Sequence, residues 1–182
     1  MVERLSKRIH MFSKFPLVSQ CLIGLLLVGV GTGQAFQRKE VLEQMRERRP
    51  ANLEVLVERP TGRGDYILGI YSVSTDQVDA SMRRYKIWQE WPDDLQIRTE
   101  SVSCDVNQPI RVTREANRLL VRHLNPGGLI TDGNREDHLI WWAACVPDQA
   151  GVDPATLKKK ALSLGYSTLL VESEEVLPGS SR

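Results

Sequence analysis

Apolar residues crowd into one uninterrupted run near the N-terminus and are otherwise scattered in short stretches between Pro, Gly and charged residues. That run, Cys21–Val30, is ten residues long. It suits the ~7–15 residues of a signal-peptide apolar region and falls short of the roughly 20 needed to cross a bilayer core. Gly33 and Ala35 occupy the small-residue positions read by a signal peptidase, so cleavage is expected between Ala35 and Phe36. Arg4, Lys7, Arg8 and Lys14 against Glu3 supply the positive flank that stays on the cytoplasmic side. Residues 1–35 are therefore read as a signal peptide. The rival is an uncleaved single-pass anchor, which reaches full length from Leu17 to Phe36 only by admitting Ser19, Gln20, Thr32, Gln34 and the glycines.

Beyond the leader the pattern changes from a block to periodicities. Residues 36–50 read as a linker helix with a thin stripe at Val41, Leu42 and Met45, stopped by Pro50. Residues 51–176 read as a single globular domain and 177–182 as a loose tail. Two β-rich runs, Leu53–Glu58 and Tyr66–Val73, flank a turn in which Gly62 and Gly64 provide hairpin geometry. Val78, Met82 and Tyr85 recur at helical spacing after Thr75, predicting a helix over 76–90 that ends at Trp88 and Trp91 before Pro92.

A strand follows over 95–106, with Leu95, Ile97 and Thr99 in one phase and Val102, Cys104 and Val106 in the other. The phase change predicts a bulge near Glu100. Ala116, Leu119, Leu120, His123 and Leu124 form a stripe predicting a helix over 113–124, ended by Asn125-Pro126-Gly127-Gly128. A second helix is expected over 138–146, capped from Thr131 or Asn134, with Leu139, Trp142 and Val146 facing the core. Trp141 lies about 100° round from Trp142, which aims one of the pair away from a single core line. Asp153-Pro154 opens another helix to Leu164, and Ser167–Glu172 reads as a last strand. The sum is an α+β fold: a small mixed sheet of three or four strands packed by about four helices, after the N-terminal signal segment.

Charge changes this picture only by exclusion. The chain has 24 Lys+Arg and 23 Asp+Glu, and residues 1–35 hold four and one of these, leaving 20 against 22 in the remainder. A near-neutral body offers no electrostatic footprint for nucleic acid. Glu40, Glu43 and Glu47 dilute the arginines of the linker, so membrane contact is expected only if the leader is retained.

Candidate chemistry is sparse. Cys104, Cys145, His123 and His138 never fall at the short spacing of a structural zinc site, so no metal or other cofactor is expected. The sequence contains no C-x-x-C and no G-x-S-x-G, so no catalytic residue is assigned. Export would place the mature chain where thiols oxidise, and loss of Cys21 would leave one possible intrachain pair, Cys104–Cys145. Trp88, Trp91 and Trp141 are the interface candidates, since large aromatics anchor protein contacts. The favoured function is an exported, non-catalytic accessory or protein-binding domain of the bacterial envelope, in the periplasm or the lumen of an internal membrane, holding a protein partner. The alternative is a small envelope enzyme using Cys/His chemistry.

Overall fold

The computed structural model describes residues 30–179, with side chains from residue 37. Residues 1–29, with all but the last residue of the apolar run, and the Ala35 and Phe36 side chains at the expected cleavage point lie outside the described residues. Helix α1 (Val30–Glu47) leads into a compact body that begins at Arg38. The body is one seven-stranded antiparallel sheet in simple sequential order, β1 (Glu54–Thr61), β2 (Gly64–Thr75), β3 (Met82–Trp91), β4 (Asp94–Ser103), β5 (Ile110–Glu115), β6 (Arg118–His123) and β7 (Ser173–Pro178). Between β6 and β7 the chain makes α2 (Arg135–Cys145), two single 3-10 turns and the short α3 (Lys158–Ser163).

The expected small mixed sheet with about four helices is overturned by this meander, which has three α-helices among the described residues. Two helical readings account for most of the difference. Val78, which opened the supposed stripe over 76–90, is 97% exposed. The Asp76 carboxylate accepts from the amides of Val78 and Asp79, and Asp79 accepts from Ser81, so this stretch is held as a loop. The following residues then alternate as a strand, with Tyr85, Ile87 and Gln89 on one face and Lys86, Trp88 and Glu90 on the other.

The 113–124 segment is not a helix but the hairpin β5–β6, paired Glu115↔Arg118 around Ala116-Asn117. Ala116 takes φ 47°, a left-handed conformation that glycine usually supplies. Without a glycine the turn leaves no mark in the pattern, and Leu119, Leu120 and Leu124 mimic a helical stripe. Ser167–Glu172 is irregular rather than a strand, and the edge strand follows it into the expected tail. The β3–β4 ladder runs unbroken from Met82↔Ser103 to Trp91↔Asp94, so no bulge lies near Glu100. Irregularities fall instead between Val55 and Val57 and between Tyr71 and Ser74.

Helix α2 forms where it is expected and lies across the sheet face carrying Leu56, Tyr66, Leu68, Ile70, Tyr85, Ile87 and Val102. Seven consecutive residues, His138–Ala144, are buried, so this helix is enclosed nearly all round. Trp141 and Trp142 are both wholly buried and stack edge to face with centroids 5.2 Å apart. Trp141 donates its indole N–H to the Ser103 carbonyl at 2.8 Å and meets Tyr166 on its other side. Its second line of contact is therefore the end of β4, not solvent.

Cys104 and Cys145 are joined by a disulfide with Cα atoms 5.5 Å apart, pinning the end of α2 to the strand end just beyond β4. Closing this loop, with a sequence separation of 41, is worth about 4 kcal/mol on the chain-entropy account. The linker docks by its C-terminal end: Arg46 and Arg49 reach Glu90 at 3.0 and 2.7 Å, and Arg46 also donates to the carbonyls of Trp91 and Pro92. Among the described residues no helix is long and apolar enough to cross a membrane.

Candidate functional site

The register decides which side chains share the helix-covered face. Opposite Tyr85, Ile87 and Gln89 of β3 stand Glu100, Arg98 and Gln96 of β4. Arg111 of β5 lies between Val102 and Arg122 of β6, and Arg122 is in turn opposite Glu174 of β7. From β4 onward, therefore, the face turned towards α2 carries a row of charged side chains beside Val102 and Leu120. The phase change at Glu100 marks an inward-facing polar row in a regular strand, and that is the sequence signal from which this site could have been found.

These groups form a continuous network. Glu100, 2% exposed, accepts from the Tyr85 hydroxyl at 3.2 Å, from Arg98 Nε at 3.2 Å and from Arg111 Nε and Nη2 at 3.0 and 2.7 Å. Arg111 also donates to Asp137 in the first turn of α2. Arg98 continues to Gln89 at 3.0 Å, Gln89 to the Tyr66 hydroxyl at 2.9 Å, and Tyr66 to Glu136 of α2 at 3.2 Å. Arg122 Nε bonds Glu174 at 3.2 Å and lies 3.6 Å from Asp137. Every strand from β2 to β7 contributes a side chain, and the first turn of α2 closes the chain at both ends.

Burial works against the Arg111 guanidinium, but the carboxylates of Glu100 and Asp137 outweigh it and hold its proton more firmly than usual. Burial likewise pushes the Tyr85 phenol well above its ordinary value, with Arg111 opposing and Glu100 reinforcing the shift. Tyr66 is raised too, chiefly by burial, partly offset by its bond from Gln89. The network is thus a fixed scaffold of charge pairs and protonated phenols.

Between this face and the first turn of α2 opens a cleft of about 430 Å³, lined on the sheet side by Gln89, Arg98, Arg111, Thr113 and Arg122 and on the helix side by Asp132, Glu136 and Asp137. The Thr113 hydroxyl is buried and has no hydrogen-bond partner among the described residues. Nothing in composition or motif spacing singles out these residues, because they come from different strands and meet only through pairing.

Beside the cleft a second polar cluster clamps two loops. Glu172 accepts from the Asn125 amide at 3.1 Å and from the Asn134 side chain at 2.7 Å, and is hydrogen-bonded to His138 Nε2 at 2.7 Å. Asn125 in turn donates to the carbonyls of Thr168 and Leu170. The residues 125–129 and 167–172 so held carry Leu129, Leu169 and Val171, which are 80%, 87% and 81% exposed.

The earlier candidates are distributed differently from the expectation of an aromatic surface. Trp88 is 2% exposed and donates to Glu90 at 3.0 Å, Trp141 is enclosed as described, and Trp91 is half-buried 5.7 Å from the Tyr66 ring. They do not come together. With Cys104 and Cys145 bonded, no free thiol stands among the described residues; His138 is sealed in the core, while His123 sits on the opposite sheet face. Among the described residues no group of three or more His, Cys, Asp or Glu is placed to hold a metal ion. No protein-family model, curated protein or solved structure matches the chain.

Proposed function

We propose that this protein is an exported, non-catalytic accessory domain of the bacterial envelope that works by binding a protein partner, and that it meets the partner through the loops bearing Leu129, Leu169 and Val171. The observation that carries this reading is the exposure of three large aliphatic side chains on two loops that part-buried hydrogen bonds hold together. Apolar side chains on flexible loops can fold away from water, whereas a clamped pair keeps its apolar surface presented until something covers it. Export is supported by the disulfide, a bond that persists in oxidising compartments and is rare in the cytosol.

One experiment tests both halves. The tagged full-length protein is cross-linked in its native cells, and its complexes are recovered separately from periplasmic, membrane and cytosolic fractions. The expected result is one dominant partner in an envelope fraction, lost in the double variant Leu129→Ser/Leu169→Ser, whose folding stability should stay within about 0.5 kcal/mol of the parent because both sites are exposed. Recovery in the cytosol overturns the export reading. An unchanged partner in the double variant overturns the loop surface.

A further inference from the structure

The cleft between the charged half of the sheet and the first turn of α2 has unmet demands of two kinds. Thr113, 5% exposed, lines it, and its buried hydroxyl has no partner among the described residues. Arg122 spends its Nε on Glu174, and its two terminal nitrogens meet no acceptor among the described residues. Together they present a hydroxyl and a guanidinium edge, a combination suited to one carboxylate. On the helix wall the demand is opposite. Among the described residues Glu136 accepts from no cation, its partner being the neutral Tyr66 phenol, and Asp132, in the loop before α2, stands in solvent with Arg135 at 4.0 Å.

The total balance narrows the ligand further. Three arginines line the cleft against five carboxylates, with the carboxylate of Glu100 behind them. A simple anion would face this excess of negative charge, and a simple diamine would leave Arg122 and Thr113 unanswered. A molecule with one carboxylate and two cationic groups satisfies both walls. The volume, about 430 Å³, falls in the range of roughly 300–1,000 Å³ typical of small-molecule sites.

The geometry points to a binding site for a free basic amino acid, with its α-carboxylate on Arg122 and Thr113 and its ammonium groups towards Glu136 and Asp132. This assignment is independent of the partner loops, because none of their exposed side chains lines the cleft. It concerns binding alone and involves no covalent step.

Calorimetric titration of the purified full-length protein with L-lysine, Nα-acetyl-L-lysine, cadaverine and L-glutamate tests it. Saturable binding of L-lysine is expected, with each of the others at least about tenfold weaker, the loss of one charge-assisted contact. Thr113→Val, which keeps the side-chain shape, and Arg122→Gln should each weaken L-lysine about tenfold and leave cadaverine unchanged. Thermal melts of both variants verify that they are folded, and Thr113→Val stands alone if Arg122→Gln is not. Absence of L-lysine binding at millimolar concentration overturns the proposal, as does equal binding of cadaverine. Equal binding of Nα-acetyl-L-lysine assigns the cleft to basic chain ends and overturns the free amino acid. Unchanged L-lysine affinity in folded Thr113→Val overturns the carboxylate subsite.

Discussion

One face of one sheet is built in two ways. Across β1 to β3 the side chains under α2 are Leu56, Tyr66, Leu68, Ile70, Tyr85 and Ile87, whereas across β4 to β7 they include Arg98, Glu100, Arg111, Thr113, Arg122 and Glu174. The same helix serves both halves. Its middle, Leu139–Ala144, packs on the apolar side, and its first turn, Glu136 and Asp137, answers the charges. The contrast separates what holds the domain together from what leaves it open. Apolar burial is non-directional and fills space, so the first half closes to a dry core. Charge pairs are directional and keep fixed lengths, so the second half leaves a walled cleft.

Removing the aromatic bulk of α2 should break the apolar half most severely. Trp142→Ala is expected to cost roughly 3–5 kcal/mol in denaturant unfolding, and Trp141→Ala as much, because both rings are wholly buried. A cost near zero at Trp141 would mean that its side of the helix is not part of the core.

The charged half should respond to single and paired changes in opposite ways. Glu100→Ala strands the Arg111 guanidinium with Asp137 alone and is expected to cost about 3 kcal/mol. Replacing both partners, Glu100→Leu with Arg111→Met, should recover most of that loss, since neither charge then has to be desolvated. An additive double-mutant cycle would show that the two residues do not act as a pair.

The gentlest probe is alkaline pH, which acts at the seam between the halves. Burial holds the Tyr85 proton above the ordinary value of 10.0. The folded state therefore keeps a proton that the unfolded chain releases, so this contribution is intact below pH 10 and declines as pH rises beyond it. Melting temperature recorded from about pH 9 to 11.5 should fall at the upper end, and Tyr85→Phe should flatten that part of the curve. An unchanged profile in Tyr85→Phe would assign the alkaline loss to other groups.

Several features were legible before any tertiary contact. The β1–β2 hairpin follows from two β-rich runs around Gly62 and Gly64, and Gly64 indeed has a positive φ of 139°. Helix α2 follows from acidic residues ahead of an apolar block, and the cysteine pair is the one that the structure joins. For the hairpin and the helix the information is local; the cysteine pair was expected on the premise that Cys21 is lost with the leader. The strands β3, β5 and β6 were not legible in that way. Leu119, Leu120 and Val121 in β6, and Tyr85, Ile87 and Trp88 in β3, put apolar side chains on both faces of their strands, and this blurs the two-residue period that would distinguish strand from helix.

The sequence by itself determined the local elements whose signal lies in neighbouring residues: the glycine turn, the acidic helix start and the proline stop after α1. Only the tertiary structure decided that seven strands pair in order, that Trp141 is enclosed, and that Arg98, Arg111, Thr113, Arg122, Glu136 and Asp137 surround one cleft. The reason is that a strand's partners are set by hydrogen bonds to chain segments remote in sequence. Which of its two faces is inward follows from that pairing, not from the residues alone.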